Sequence, residues 1–130
     1  MHNKIITLAT LTACFIMAAA FRYQPKPWTV PAAAASKANP NKAAEDVAAG
    51  KALYSKHCAS CHGKTGLGDG PKASELKTEP GDLSKDLASQ SDGALFYKIT
   101  EGRDDMPKFK GKIDDEERWQ TVSFLRTLKK

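Results

Sequence analysis

The segment Cys58–His62, which reads CASCH, limits what this chain can fold into more than any other feature. Two thiols three residues apart on a helical turn lie about 5 to 6 Å apart on one side. This spacing suits addition across the two vinyl groups of one porphyrin, and it is the c-type haem attachment pattern. His62, the next residue, would then lie beneath the iron. The segment predicts one covalent haem c, bound through Cys58 and Cys61 and ligated by His62.

Three other uses of a CxxC pair compete with haem attachment. A redox disulfide of the thioredoxin type is expected near a βαβ pattern, which the sequence does not show. A structural zinc site needs a second ligand pair, but Cys14 lies in an N-terminal apolar segment and His57 directly precedes Cys58. A structural disulfide is the third alternative.

Met106 is predicted to be the second axial ligand of the iron. It follows His62 at a distance along the chain that allows a return over the opposite haem face. Pro107 disfavours helical geometry at Met106, which suits a ligand on an irregular loop. The alternative is that Met106 only fills the core. The other methionines and histidines lie near the N-terminus or beside the attachment segment: Met1, Met17, His2 and His57.

The charge is distributed unevenly along the 130 residues. Five of the 20 Lys and Arg residues precede Glu45, and no acidic residue does. From Glu45 onward 15 basic residues balance 15 acidic ones, so the net charge of +5 comes from the N-terminal part. No basic face with interleaved aromatic residues stands out, which argues against nucleic-acid binding. The length predicts a single domain with one modest core.

Residues 1–21 are predicted to be an export segment, because Lys4 precedes an uncharged stretch over residues 5–21. We rank an uncleaved membrane anchor first and lipidation second, since this stretch is just long enough to span a bilayer and stays apolar beyond Cys14. A lipobox ending at Cys14 predicts acylation there, and residues 18–20 offer a signal-peptide cleavage site. We expect an exported protein on the periplasmic side of the cytoplasmic membrane, tethered by the anchor or by acylated Cys14.

Residues 22–43 contain four prolines and a run of four alanines, and little that could form a core. This composition predicts a Pro/Ala-rich linker that leads to a domain over residues 44–130.

Helical patterns follow the linker. Apolar or small residues spaced by three and four predict a helix that runs from about Ala43 into Cys58. Asp92 is expected to cap a second helix that Gly102 stops, and Asp114 with Glu117 predicts a capping box for a terminal helix. Glycines and prolines between these helices predict loops. No β-alternation of useful length is present, so the fold class is all-α.

These residues resemble the class I cytochromes c, particularly the short single-haem domains attached to bacterial respiratory chains. The resemblance covers about residues 44–130. The matching positions are Gly50, Tyr54, the segment Cys58–His62, the glycine loop Gly66–Pro71, the segment Gly102–Pro107 and the terminal segment Trp119–Arg126.

The resemblance implies a class I cytochrome c fold, in which the N- and C-terminal helices cross beside one haem. Gly50 would then allow close approach to an aromatic residue such as Phe124. The family often holds the haem-ligating histidine with a proline carbonyl, for which Pro71 and Pro80 are the two candidates. Arg103 is a first candidate partner for a haem propionate, and a solvated loop arginine is the alternative.

Ligation by both His62 and Met106 would leave the iron no open position for a substrate, which predicts an electron carrier and not an enzyme. The resemblance implies outer-sphere transfer of single electrons between respiratory-chain components, such as a quinol-oxidising complex and a terminal oxidase or reductase. Two alternatives stay open. One is a haem-based gas sensor or peroxidase with a labile Met106, and the other is a fixed electron-entry subunit of a larger oxidoreductase.

Overall fold

The computed structural model describes residues 27–128, so the predicted export segment and Cys14 lie outside the described residues. Within that range the chain forms six α-helices and three short 3-10 segments and no β-strand, as predicted for an all-α fold. None of these helices is long and apolar enough to cross a membrane. The α-helices are α1 (Ala32–Ala35), α2 (Ala44–His57), α3 (Ala59–His62), α4 (Leu83–Asp86), α5 (Asp92–Glu101) and α6 (Asp115–Leu125). The 3-10 segments are Ala73–Glu75, Leu87–Ser89 and Arg126–Leu128.

Helices α2 and α6 pack closely where Gly50 faces α6. A Cβ atom at Gly50 would lie 1.9 Å from the carbonyl oxygen of Gln120 and 3.1 Å from Cβ of Phe124. Only glycine allows so close an approach of the two backbones. One turn further along α2, the Tyr54 ring lies 5.1 Å from the Phe124 ring. The predicted close approach of Gly50 to Phe124 is confirmed.

The core lies between α2, α5, α6 and the loop before α6. Phe96 of α5 stacks on Trp119 of α6 with ring centroids 4.0 Å apart, which joins these two helices. The buried apolar side chains of this core are Tyr54, Leu87, Leu95, Phe96, Ile99, Phe109, Ile113, Trp119, Val122, Phe124 and Leu125.

The capping residues follow the sequence analysis at α6 and differ from it at α5. Asp114 and Glu117 form the predicted capping box, with hydrogen bonds of 2.8 and 2.9 Å. At α5 the cap is Ser91, whose hydroxyl accepts from the backbone N–H of Ala94, and Asp92 is the first helical residue. The Asp92 carboxylate instead accepts from Arg126 Nε at 2.7 Å, an ion pair that links α5 to the end of α6.

Residues 28–41, here called the strap, lie on the helical domain. Helix α1 rests on α5 at Gly93, where a Cβ atom would lie 2.1 Å from the Ala34 carbonyl oxygen. The Ser91 hydroxyl also donates to the Ala35 carbonyl at 2.6 Å. Asn39 is only 5% exposed, and its amide donates to Ser123 Oγ at 2.8 Å and to the Trp119 carbonyl at 3.2 Å.

These contacts differ from the linker predicted over residues 22–43. A segment rich in proline and alanine has few apolar side chains, so its composition suggests solvent exposure. The strap instead packs through backbone groups, through the Trp28 ring and through the buried Asn39 amide. The partners of that amide lie about 80 residues further along the chain. Residues 22–26 of the predicted linker lie outside the described residues.

Candidate haem site

The predicted attachment segment begins where α2 ends. Cys58 connects α2 to the single turn α3, and its carbonyl accepts from the backbone N–H groups of Cys61 at 3.1 Å and His62 at 2.9 Å. Both thiols are free. Burial, and secondarily the electrostatic influence of Cys61, raises the pKa of the Cys58 thiol to about 12. The Cys58 thiol is therefore neutral at physiological pH and packs against the apolar core.

His62 is the partly buried side chain at the end of this turn. Burial lowers the pKa of its imidazole, which favours the neutral form that ligates metals. Its Nδ1 atom is buried and has no hydrogen-bond partner in the described part of the chain, so neither the Pro71 nor the Pro80 carbonyl bonds it there. Metal-bound histidines usually donate their second N–H to such a carbonyl. The two thiols and the neutral imidazole are the groups that a haem c requires. The hydrogen bond from His62 to a proline carbonyl, which the resemblance implies, is not formed among the described residues.

Tyr54 connects α2 to the residue that follows His62. Its side chain is 1% exposed, and its hydroxyl donates to the Gly63 carbonyl at 2.7 Å. Burial raises the pKa of Tyr54, so the hydroxyl stays protonated and donates. The sequence singled out Tyr54 through the resemblance, but nothing in its spacing predicted this hydrogen bond. Tyr54 therefore fixes the position of the attachment turn against α2.

Tyr54→Phe is expected to destabilise the protein by about 1 kcal/mol, because the Gly63 carbonyl loses its short hydrogen bond while the ring still packs on Phe124. Urea unfolding of the purified protein measures this difference. Tyr97→Phe, at a half-buried tyrosine of α5, is the matched control, and we expect it to change the free energy of unfolding by less. Equal effects of the two substitutions would contradict this role of Tyr54.

The glycine loop folds back over the attachment turn. Backbone N–H groups of Gly68 and Gly70 donate to the carbonyls of His62 at 2.9 Å and Cys61 at 3.2 Å. Lys72 N–H donates to the Ser60 carbonyl at 2.8 Å. These bonds satisfy carbonyl groups that the short helix α3 cannot pair internally.

Met106 lies on a tight two-residue turn after α5. Its backbone N–H and C=O each pair with Arg103 at 2.9 Å, and Asp104 within the turn has φ of +52°. The Asp105 carboxylate accepts from the backbone N–H of Thr78 at 2.8 Å, which fixes the turn to the loop before α4. Met106 is partly buried and packs against the same apolar core as Cys58 and Ala59. The structure therefore places Met106 on the irregular loop predicted for it, between two anchored ends.

Two surface clefts lie away from these residues. One of about 420 Å³ is lined by residues 110–115 with Glu117 and Arg118, and one of about 250 Å³ shares Arg118 with it. Neither is lined by a residue of the attachment segment or by Met106. In the described part of the chain, no three His, Cys, Asp or Glu side chains form a group that could hold a metal ion, which is the set that the zinc alternative requires.

Comparison with known proteins is consistent across sequence and structure. A family model described as cytochrome c oxidase, cbb3-type, subunit III matches residues 45–125. Cytochrome c6 of Thermosynechococcus vestitus is 31% identical over 86 residues, which are 66% of this chain and 73% of that protein. Cytochrome c6 of Parathermosynechococcus lividus is 31% identical over 80 residues, 62% of this chain and 87% of that protein.

Two solved structures share the fold. A reducing HAO-like protein complex of Kuenenia stuttgartiensis aligns with a TM-score of 0.65 and 25% identity over 87% of this chain, which spans about half (54%) of that chain. The c-type cytochrome KustC0563 aligns with a TM-score of 0.55 and 31% identity, covering 62% of this chain and 98% of that one. The protein belongs to the cytochrome c family that the matching model describes, as a class I c-type cytochrome with covalent haem c. It is a single-haem electron carrier.

Proposed function

We propose that Cys58 and Cys61 hold the haem by thioether bonds and that His62 and Met106 ligate its iron from opposite faces. The observation that carries this assignment is the attachment turn itself, in which Cys58 precedes the single turn α3 and Cys61 and His62 end it, with Cys58 packed against the apolar core. Met106 supplies a soft thioether from the turn of residues 103–106. A hydrogen bond from Thr78 to Asp105 anchors this turn. Bound haem supplies a one-electron Fe(III)/Fe(II) couple.

The two side-chain ligands decide what this couple can be used for. His62 and Met106 together leave no position for a substrate, so the residues support outer-sphere transfer and not catalysis at the iron. A thioether ligand and an apolar surrounding both raise the reduction potential of such a site. A carrier of this kind suits the oxidising end of a respiratory chain, between a quinol-oxidising complex and a terminal oxidase or reductase.

A fixed position in a larger oxidoreductase is the second candidate function. It is supported by the alignment of 87% of this chain with part of a chain in the HAO-like complex and by the oxidase-subunit description of the family. Purification from the native membrane distinguishes the two. A stoichiometric complex that survives high salt would favour the fixed subunit, whereas a free protein that reduces an added oxidase would favour the mobile carrier.

Export and membrane tethering belong to the same proposal. The apolar stretch over residues 5–21 and the lipobox at Cys14 support them on sequence grounds. A tether would keep the haem domain at high effective concentration near membrane partners. Mass spectrometry of the N-terminus of membrane-derived protein would distinguish an intact anchor from acyl-Cys14 and from cleavage after residues 18–20.

One covalent haem per chain is the expected result of a pyridine haemochrome assay on denatured protein, because the sequence has a single CxxCH segment. Cys61→Ser should give at most one thioether bond and therefore an altered haemochrome spectrum or poor maturation. Ser60→Ala, in the same turn but without a thiol, is the matched control and should mature normally. Haem that acid–acetone extracts from the wild-type protein would contradict the assignment.

A further inference from the structure

The first residue of the strap with a side-chain contact to the helical domain is Trp28, which lies over two cations. Its ring centroid is 4.6 Å from Cζ of Arg103 and 5.3 Å from Nζ of Lys98. Both separations are within the range of cation–π attraction, for which tryptophan is the best aromatic partner. Burial is the main cause of the lowered pKa of Lys98, and the nearby positive charge of Arg103 is the second cause. The indole therefore stabilises two like charges that otherwise repel each other.

Arg103 is also the backbone partner of Met106. Its N–H and C=O form both hydrogen bonds that close the turn, each 2.9 Å long. Its guanidinium Nε also lies 3.3 Å from the Asp104 carboxylate within the same turn. Holding Arg103 in place therefore holds the backbone directly opposite Met106. Opening of the turn requires Arg103 to move relative to Met106 or the whole turn to leave the core.

The strap is itself fixed at two further points, so Trp28 is held in position. Helix α1 rests on Gly93 of α5, and the buried Asn39 is bonded to α6. A ring carried on a free linker would lose much of its contact energy to the cost of ordering the segment. Since the contacts at Gly93 and Asn39 already order the strap, the Trp28 contact acts mainly on the turn.

We propose that Trp28 is a positioning residue for Met106, and that the strap holds the turn of residues 103–106 closed through Arg103. This proposal rests on the proposed ligation of iron by Met106. Release of the sulfur from the iron requires the turn to open, and the strap makes that opening rarer. The N-terminal segment thus stabilises the ligand set as well as leading into the domain.

The experiment uses full-length holoprotein and measures two rates. The first is the displacement of Met106 from oxidised protein by imidazole, followed by the methionine–iron charge-transfer absorption. The second is amide hydrogen exchange in residues 103–106, which reports on turn opening whether or not Met106 ligates iron. Trp28→Ala should accelerate both about tenfold, as expected from loss of one well-placed cation–π contact. Trp28→Phe should give a smaller acceleration.

Lys112→Gln is the matched control, because it removes another cation–π contact, in which Lys112 Nζ lies 5.7 Å from the Phe109 ring centroid in the loop before α6. It should leave both rates unchanged within about twofold. In an Arg103→Gln background, Trp28→Ala should add little, since the contact between the Trp28 ring and the turn is already lost. Rates equal to those of the control, or an undiminished effect in that background, would overturn the proposal. If Trp28→Ala does not mature, unchanged rates in Trp28→Phe and Arg103→Gln overturn it equally.

The two readouts separate this proposal from the one on which it rests. A wild-type spectrum without the methionine–iron absorption would contradict Met106 ligation. Selectively faster exchange in Trp28→Ala would still support the action of the strap on the turn. Normal ligation with exchange that does not respond to Trp28 would contradict only the strap.

Discussion

Met106→Ala is expected to lower the reduction potential by a few tenths of a volt, a large part of the roughly 0.8 V range that axial ligands set. If Met106 ligates the iron as proposed, its thioether stabilises Fe(II), and alanine offers no ligand in its place. Because Met106 is partly buried against the core, its truncation to alanine leaves a gap that a small ligand can fill. The reduced variant should bind carbon monoxide readily, whereas the wild-type protein should not at neutral pH. Redox titration and difference spectra measure both effects.

Met106→His tests whether the effect belongs to the ligand or to the packing. Histidine should restore six-coordination at a lower potential than the wild type has, and carbon monoxide binding should again be weak. Leu128→Ala is a packing control, since Leu128 is also partly buried against the same core and lies outside the turn of residues 103–106. It should leave the potential nearly unchanged. Rapid reaction of the wild-type protein with carbon monoxide or peroxide would favour the sensor or peroxidase alternative.

The sequence predicted those parts of the fold that depend on short-range patterns. The attachment turn, the capping box at Asp114 and the loop position of Met106 each follow from residues within a few positions of each other. The close approach at Gly50 was predicted differently, through the resemblance to class I cytochromes c. The structure confirms it because an added Cβ atom would collide with the backbone of α6.

Other parts of the site depend on contacts that no local pattern contains. The hydrogen bond from Tyr54 to Gly63 depends on how α2 meets the attachment turn. Ser91 replaces Asp92 as the cap of α5 because the Asp92 carboxylate pairs with Arg126, 34 residues later. Ser91 and Asp92 are both good capping residues, so propensity alone does not choose between them. Whether a proline carbonyl bonds Nδ1 of His62 likewise depends on where the loops that carry Pro71 and Pro80 lie.

The strap is the clearest case of this kind, and its removal gives the second large effect. A chain that begins at residue 43 should be less stable than one that begins at residue 27 by on the order of 2 to 4 kcal/mol. The shorter chain loses the buried Asn39 amide, which leaves the Trp119 carbonyl and Ser123 hydroxyl without that partner. It also exposes the face of α5 around Gly93. Such a loss is a large fraction of the total stability of a small domain.

Urea unfolding of the two holoproteins, each exported by the same foreign signal, measures the difference. The chain that begins at residue 27 retains every strap contact described above, so it is the proper reference, and full-length protein shows separately what residues 1–26 add. Asn39→Ala in the reference chain should reproduce about 1 to 3 kcal/mol of the loss by leaving buried polar groups unpaired. A free linker over residues 22–43 predicts the opposite result, in which both chains mature equally and unfold at the same urea concentration. Equal stability would therefore show that the strap contributes nothing to the fold, and it would return the domain boundary to residue 44.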